Sequence, residues 1–265
     1  MFRLTRDVRF AINDAEVSSA VTNGFGGVPA VLGFGHWFAM QITLEGTVSA
    51  SSGYLRNITE IDQAVRERVI PVIRDHVHGR AVSYARALGD VWRSLDNAWP
   101  GSRLVKLNLQ LSPYLSIAMS VSEIKPEILM IRLSQKFEFS AAHRLHNPLL
   151  SDEENRETFG KCNNLHGHGH NYELQVTLAG APGTNGDLMA IQELEHIVQR
   201  TVIDRFDHKF LNIEVAEFAT LNPSVENIAR TIYQLLEAPL ARTECRLAAI
   251  TVWETPKTWC EYSQT

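Results

Sequence analysis

This chain repeats itself, and the repeat limits what it can fold into. The segment Gly33-Phe-Gly-His-Trp-Phe-Ala-Met-Gln-Ile-Thr-Leu-Glu-Gly46 returns as Gly167-His-Gly-His-Asn-Tyr-Glu-Leu-Gln-Val-Thr-Leu-Ala-Gly180. The glycines, His36/His170, Gln41/Gln175, Thr43/Thr177 and Leu44/Leu178 coincide. Each copy then passes a glycine, Gly53 or Gly186, and enters a helical pattern. Over Ile58–Arg74 the residues Ile61, Val65, Val69 and Val72 share one helix face; over Ile191–Phe206 the residues Leu194, Ile197, Val198, Val202 and Ile203 do the same. Second helices are expected at Tyr84–Leu95 and Val225–Leu236. Alternating strand pairs close each copy: Leu104–Leu111 turns at Pro113 into Leu115–Val121, and Leu247–Glu254 turns at Pro256 into Trp259–Tyr262. The expected order in each half is strand, strand, helix, helix, strand, strand, an α+β arrangement, with Ser122–Ile128 and its Lys125-Pro126 as the linker.

A four-stranded sheet with both helices on one face leaves its other face partly bare, and such sheets commonly cover it by joining further copies. Oligomerisation is expected on that ground. The two halves differ where chemistry would sit. Phe34 stands opposite His168, Asp14 falls near the place of His143, and Leu111 stands opposite Glu254 when Pro113 is set against Pro256. The first half has no cysteine. His36 alone is expected to be structural.

Bulk properties exclude several classes. At 265 residues the chain has room for two domains. Hydrophobic residues at 45%, charged residues at 21% and a net charge of −5 describe an ordinary globular composition with no basic run suited to nucleic acid. An anionic substrate would need a local basic pocket. Cys162, Cys245 and Cys260 make no disulfide framework, so a reducing cytoplasm is expected. Met1–Asp14 lacks the apolar core of a signal peptide, and no apolar run reaches membrane-spanning length.

The richest chemistry lies between Phe139 and Tyr172. His168 and His170 are two apart, so in a strand both imidazoles face one side. His143 ends an earlier alternating run that an antiparallel partner would bring alongside. Three neutral nitrogen ligands with a fourth position open form the ligand set of a catalytic zinc. Cys162 then sits near the metal without being needed as a ligand, and a thiol near a cation gives up its proton more easily. A buried structural thiol is the alternative for Cys162. Its neighbours Lys161, Asn163 and Asn164 are polar and favour reactivity.

Residues 130–265 resemble the 6-pyruvoyl-tetrahydropterin synthase / 6-carboxytetrahydropterin synthase family. The resemblance is carried by Phe139-Ser-Ala-Ala-His143-Arg-Leu, Leu150-Ser-Asp-Glu-Glu-Asn155, Phe159-Gly-Lys-Cys-Asn-Asn164, His168-Gly-His-Asn-Tyr172, Phe206-Asp-His-Lys209, Pro223-Ser-Val-Glu-Asn-Ile-Ala229 and Glu254-Thr255. It implies the tunnelling fold, whose ββααββ order matches the pattern above. The fold class expected is therefore α+β, two tandem tunnelling-fold domains: residues 1–122 a degenerate structural copy, and residues 130–265 the catalytic zinc-binding copy. It also implies roles: His143, His168 and His170 as zinc ligands, Cys162 as the catalytic cysteine, Asp207 and His208 as a proton relay, Glu254 as the pterin anchor and Glu226 as a second position near the pterin.

The activity implied is that of a zinc-dependent lyase that eliminates triphosphate from 7,8-dihydroneopterin triphosphate. Zinc at the side-chain oxygens would acidify neighbouring protons. A thiolate would remove the carbon-bound proton, and a histidine held by an aspartate would return one. A carboxylate suits the paired N–H donors of the pterin edge. Cys162 precedes His168 with five residues between, as in the pyruvoyl enzymes; three separate it from His166, whose own His-Gly-His resembles the carboxy enzymes of queuosine synthesis. Asn171-Tyr172 after His170 sets the register on His168 and His170. The five-residue spacing and the Phe159-Gly-Lys-Cys-Asn-Asn164 run favour 6-pyruvoyl-tetrahydropterin as the product, with the 6-carboxy product and a non-catalytic pterin-binding protein as the alternatives. The resemblance further implies stacked rings of three folds with sites at subunit junctions, which a trimer of a two-copy chain would imitate; a dimer closing a ring of four folds is the other closure. Bland readings compete at single positions. Asp207-His208 can be a helix-end pair, Ser151–Asn155 a solvated acidic loop or helix start, and Glu226 an acid in a first helical turn.

Overall fold

The computed structural model describes residues 1–14, 26–79, 83–121, 129–181, 188–243 and 245–264. The linker expected at 122–128 and the turn at Gly186 lie outside them. Chain contacts divide the protein into two units, Met1–Leu133 with Gly180–Leu188, and Ser134–Ala179 with Met189–Thr265. Among the described residues, no helix is long and apolar enough to cross a membrane.

In the first unit, strands β1 (Phe2–Ile12) and β2 (His36–Gly46) precede a helix. That helix runs from α1 (Ile58–Ala64) through a π turn at Val65–Val69 into α2 (Ile70–His78). Helix α3 (Tyr84–Ser94), β3 (Ser102–Ser112) and β4 (Leu115–Val121) follow. The sheet order is β1-β2-β3-β4 with antiparallel pairing throughout. Alternation along β2 puts Met40, Ile42 and Leu44 into the core against Ile61, Val65, Val69, Leu88 and Val91 of the helices. Each such side chain contributes about 1.5–3 kcal/mol on leaving water. Side-chain oxygens start the helices: Asn57 accepts from the Thr59 N–H and Ser83 from the Arg86 N–H.

The second unit has the same order with insertions. Strand β5 (Leu129–His143) is followed by α4 (Asp152–Phe159) and a 3₁₀ turn at Gly160–Asn163. Strand β6 (His168–Gly180) precedes α5 (Ile191–Val198), a π turn at Gln199–Ile203 and α6 (Asp204–Phe206). After β7 (Lys209–Phe210), α7 (Leu211–Glu214) and a 3₁₀ turn at Ala216–Phe218 comes α8 (Val225–Leu240), then β8 (Arg246–Thr255) and β9 (Thr258–Tyr262). The sheet order is β5-β6-β8-β9, and β7 pairs in parallel with β5. Tyr172, Leu174, Val176 and Leu178 of β6 are buried with Leu194, Val198, Val202, Ile228, Ile232 and Leu236 of the helices.

The two units share their irregularities. The β2–β3 register shifts between Thr43 and Leu44, and the β6–β8 register between Thr177 and Leu178. The β3–β4 shift lies at Gln110/Ser112 and the β8–β9 shift at Trp253/Thr255. On the side away from the helices the sheets carry paired polar groups. Thr5 meets Thr43, and Gln41 bonds Asp7 and Asn108 in the first unit. Ser134 meets Thr177, and Lys136 bonds Glu173 in the second. The bare face expected of each sheet is thus hydrogen-bonded rather than oily.

Candidate metal and pterin site

All the expected site residues fall in the second unit. His143 is the last residue of β5, and His168 and His170 open β6 on one face of that strand. Among the described residues, these three form the group of His, Cys, Asp or Glu side chains close enough to hold a metal, their ligand atoms all within 4.8 Å of one another. His143 Nε2 lies 3.1 Å from His168 Nε2. Two nitrogens bound tetrahedrally to one zinc at the usual bond length stand about 3.3 Å apart, so the spacing suits a shared ion. His170 Nε2 is buried with no hydrogen-bond partner, an orphan that a metal would satisfy.

His143 is fully buried, and its Nδ1–H donates to the Pro223 carbonyl at 2.7 Å. That bond fixes the tautomer and leaves the Nε2 lone pair for a metal. Burial lowers the pKa of His143, against the raising effect of the Pro223 carbonyl. Burial also lowers that of His170. Both rings are therefore biased towards the neutral, ligating form. Behind them Tyr172 stacks on Phe139 at 5.0 Å between centroids, and Phe206 meets Phe139 edge-on. Burial pushes the Tyr172 hydroxyl up, and Glu254 and Cys162 lie near enough to add to it.

Gly167 makes the approach of β6 to β5 feasible. Its φ is +69°, and a Cβ there would stand 2.8 Å from the His143 carbonyl oxygen and 3.0 Å from the Phe210 ring. Gly167→Ala is expected to cost about 1–2 kcal/mol from the backbone alone. A thermal melt should fall by roughly 2–8 °C, and dialysis against a chelator should strip the metal faster. An unchanged melt and unchanged metal retention would show that the turn relaxes freely.

The other expected residues are placed as follows. Glu254 Oε1 lies 3.3 Å from His143 Nε2 and 3.6 Å from His170 Nε2, so the carboxylate faces the ligand edges of these rings. Cys162 is half-buried in the 3₁₀ turn and stands outside the three-histidine group. His166 is exposed, its N–H bonded to Asn164 Oδ1. Asp207 accepts the Ser140 N–H at 2.8 Å and pairs with His208 Nδ1 at 2.8 Å. The Ser140 bond is the largest cause holding the Asp207 carboxyl below its usual value. His208 has φ +57° and an 82% exposed side chain. Glu226 is exposed in the first turn of α8, and no hydrogen bond or ion pair joins it to the histidines.

Sequence reasoning missed the polar groups that brace the loop after His143 and the His143 ring itself. Asn155 is fully buried at the head of α4, which starts with a Ser151–Glu154 capping box rather than forming an acidic loop. Its amide donates to the carbonyls of Asn147, Leu150 and Ser151, and its oxygen accepts the Asn147 N–H. The Pro223 carbonyl, being backbone, carries no residue signature at all.

Comparison with known proteins gives this site its context. The family model for 6-pyruvoyl tetrahydropterin synthase matches residues 132–265. The 6-pyruvoyl tetrahydrobiopterin synthase of Drosophila melanogaster is 41% identical over 131 residues, covering 49% of this chain and 77% of the relative. The 6-carboxy-5,6,7,8-tetrahydropterin synthase of Haemophilus influenzae is 31% identical over 156 residues, covering 51% of this chain and the whole of the relative (100%). The solved structure of Caenorhabditis elegans 6-pyruvoyl tetrahydropterin synthase is 36% identical with a TM-score of 0.48, covering 51% of this chain and 96% of its own. The chain belongs to the 6-pyruvoyl tetrahydropterin synthase family. It is an enzyme, a lyase, of α+β architecture.

Proposed function

We propose that the protein converts 7,8-dihydroneopterin triphosphate to 6-pyruvoyl-tetrahydropterin with release of triphosphate. The observation that carries this is the three-histidine group whose buried member has its second nitrogen committed to Pro223. His143, His168 and His170 would hold a zinc ion, and the chemistry it supplies is Lewis-acid polarisation of the side-chain oxygens. Glu254 accepts the paired N–H donors of the pterin edge. Glu226 is a second contact near the pterin. Cys162 removes the carbon-bound proton, and His208, oriented by Asp207, returns one. The hydrogen lost from the side chain is balanced by reduction of the ring, so no external oxidant is needed.

The test is mass spectrometry of the product formed from 7,8-dihydroneopterin triphosphate, with acetaldehyde assayed alongside. Stoichiometric triphosphate and a product that keeps all side-chain carbons are expected. The Haemophilus influenzae likeness and the second His-Gly-His at His166 favour a 6-carboxy product instead. Acetaldehyde in stoichiometric yield would establish that alternative. No triphosphate release at all would leave only pterin binding. The greater identity to the pyruvoyl relative and the exposed position of His166 support the pyruvoyl product.

We further propose that residues 1–122 are a structural copy of the catalytic domain 130–265, binding neither metal nor pterin. Support comes from the shared strand and helix order, from π turns at corresponding places, and from register shifts at the paired positions Thr43/Thr177 and Ser112/Thr255. Among the described residues no metal-holding group lies in the first unit. Phe34, opposite His168 in the repeat, is 99% exposed. A trimer or dimer of such chains would close rings of folds, and the free cysteines suit a cytoplasmic setting.

A further inference from the structure

The thiol assigned to proton removal stands on a short turn. Gly160–Asn163 is four residues of 3₁₀ helix, entered through Gly160 at φ +52° and followed by Gly167 at φ +69°. Such a turn has poor hydrogen-bond geometry of its own. Something else must hold Cys162 in register with His143.

The three residues after His143 supply that hold. The Arg144 N–H donates to Asn212 Oδ1 and its carbonyl accepts from Asn212 Nδ2, at 2.8 and 2.9 Å. The Leu145 N–H donates to the Cys162 carbonyl at 2.9 Å. The His146 N–H donates to Asn222 Oδ1 at 3.0 Å. Arg144 then reaches across the turn: Nε donates to the Asn163 carbonyl at 3.2 Å and an Nη donates to Asn163 Oδ1 at 3.0 Å. His146 Nδ1 lies 3.1 Å from the same Oδ1 and, in its Nδ1–H tautomer, donates to it.

The geometry points to Asn163 as the positioning residue for Cys162, its side-chain oxygen gripped by Arg144 and His146 so that the thiol turn moves as one piece with the strand end that carries His143. Among the described residues no carboxylate pairs with Arg144, and its guanidinium donates to Asn163. A guanidinium fork that satisfies a backbone carbonyl and an amide oxygen on one residue fixes both position and angle. Misplacing a reacting group by about 1 Å can cost about 100-fold in rate. Asn163 itself touches neither substrate nor metal in this role.

This inference rests on the reading of Cys162 as the base, and the test separates the two. Full-length wild type, Asn163→Ala, Asn163→Asp, Arg144→Lys and Cys162→Ala are compared. Measured are kcat and KM for triphosphate release, bound metal, the thermal melt, and the alkylation rate of each cysteine resolved by peptide mass spectrometry. For Asn163→Ala we expect kcat down by about 100-fold, with KM and metal content near wild type. Alkylation should change at Cys162 but not at Cys260. Asn163→Asp keeps the acceptor oxygen and should restore most of kcat; Arg144→Lys should show a milder form of the alanine phenotype.

Wild-type kcat and unchanged Cys162 alkylation in Asn163→Ala would overturn the inference. So would loss of metal and a collapsed melt that Asn163→Asp does not repair, since that is a merely structural role. If Cys162→Ala still turns over, the base assignment fails instead, and the clamp is then decided by the Cys162 alkylation rate alone.

Discussion

Cys162→Ala is expected to lower kcat by about 100-fold to 10,000-fold, the range of a lost general base, while metal content stays at one ion per chain. The thiol stands outside the three-histidine group, so removing it leaves the ligand set whole. It is half-buried and bound to its surroundings through its carbonyl, so truncation removes few contacts and the fold should survive. Metal analysis beside steady-state kinetics reads both halves of the expectation. A variant that loses its metal along with its activity would make Cys162 a fourth ligand and remove the proposed mechanism.

His168→Ala should produce the opposite pairing. Orienting partners outside the ligand set typically contribute 10–100-fold to metal affinity, so loss of a ligand should exceed about 100-fold. Turnover should disappear with the ion. His168 is the clean choice for this experiment because it is only half-buried and its Nδ1 makes no hydrogen bond. Truncating His143 would also strand the Pro223 carbonyl in the core, at a cost of about 1–3 kcal/mol. Titrating apo-protein with zinc, before and after the substitution, reports the affinity. Retention of a tightly bound ion by His168→Ala would transfer the site to another ligand set, with Glu254 the nearest carboxylate.

The elements that sequence made legible are those with a strict period. Ile61, Val65 and Val69 marked the first helix and Leu194, Val198 and Val202 the second because burial of one face imposes the spacing. The π turns inside both helices were not legible, since they follow from packing and leave no residue signature. Helix ends were read short: the first runs to His78 rather than Arg74, and α8 reaches Leu240 rather than Leu236, where a fully buried Leu240 outweighs Pro239 in the last turn. In the site, His168 and His170 could be placed by the two-residue strand period alone. The partners of Arg144, His146 and Asn155 could not, because they come from segments 4 to 76 positions away. The exposure of His208 was equally hidden, since a positive φ at a non-glycine residue depends on the bonds that Ser140 makes to it and to Asp207.

The bond from His143 to the carbonyl of Pro223 has a consequence for how such a site drifts or can be tuned. A side-chain partner is altered by one codon, whereas a peptide carbonyl survives every substitution at its own position and moves only when its segment moves. Selection acting on metal affinity here has its leverage in the Asn222–Ser224 segment and the start of α8, through small displacements rather than changes of chemistry. A library confined to the ligands would sample mostly dead proteins. One spread over that segment would sample graded affinities with the ligand set intact.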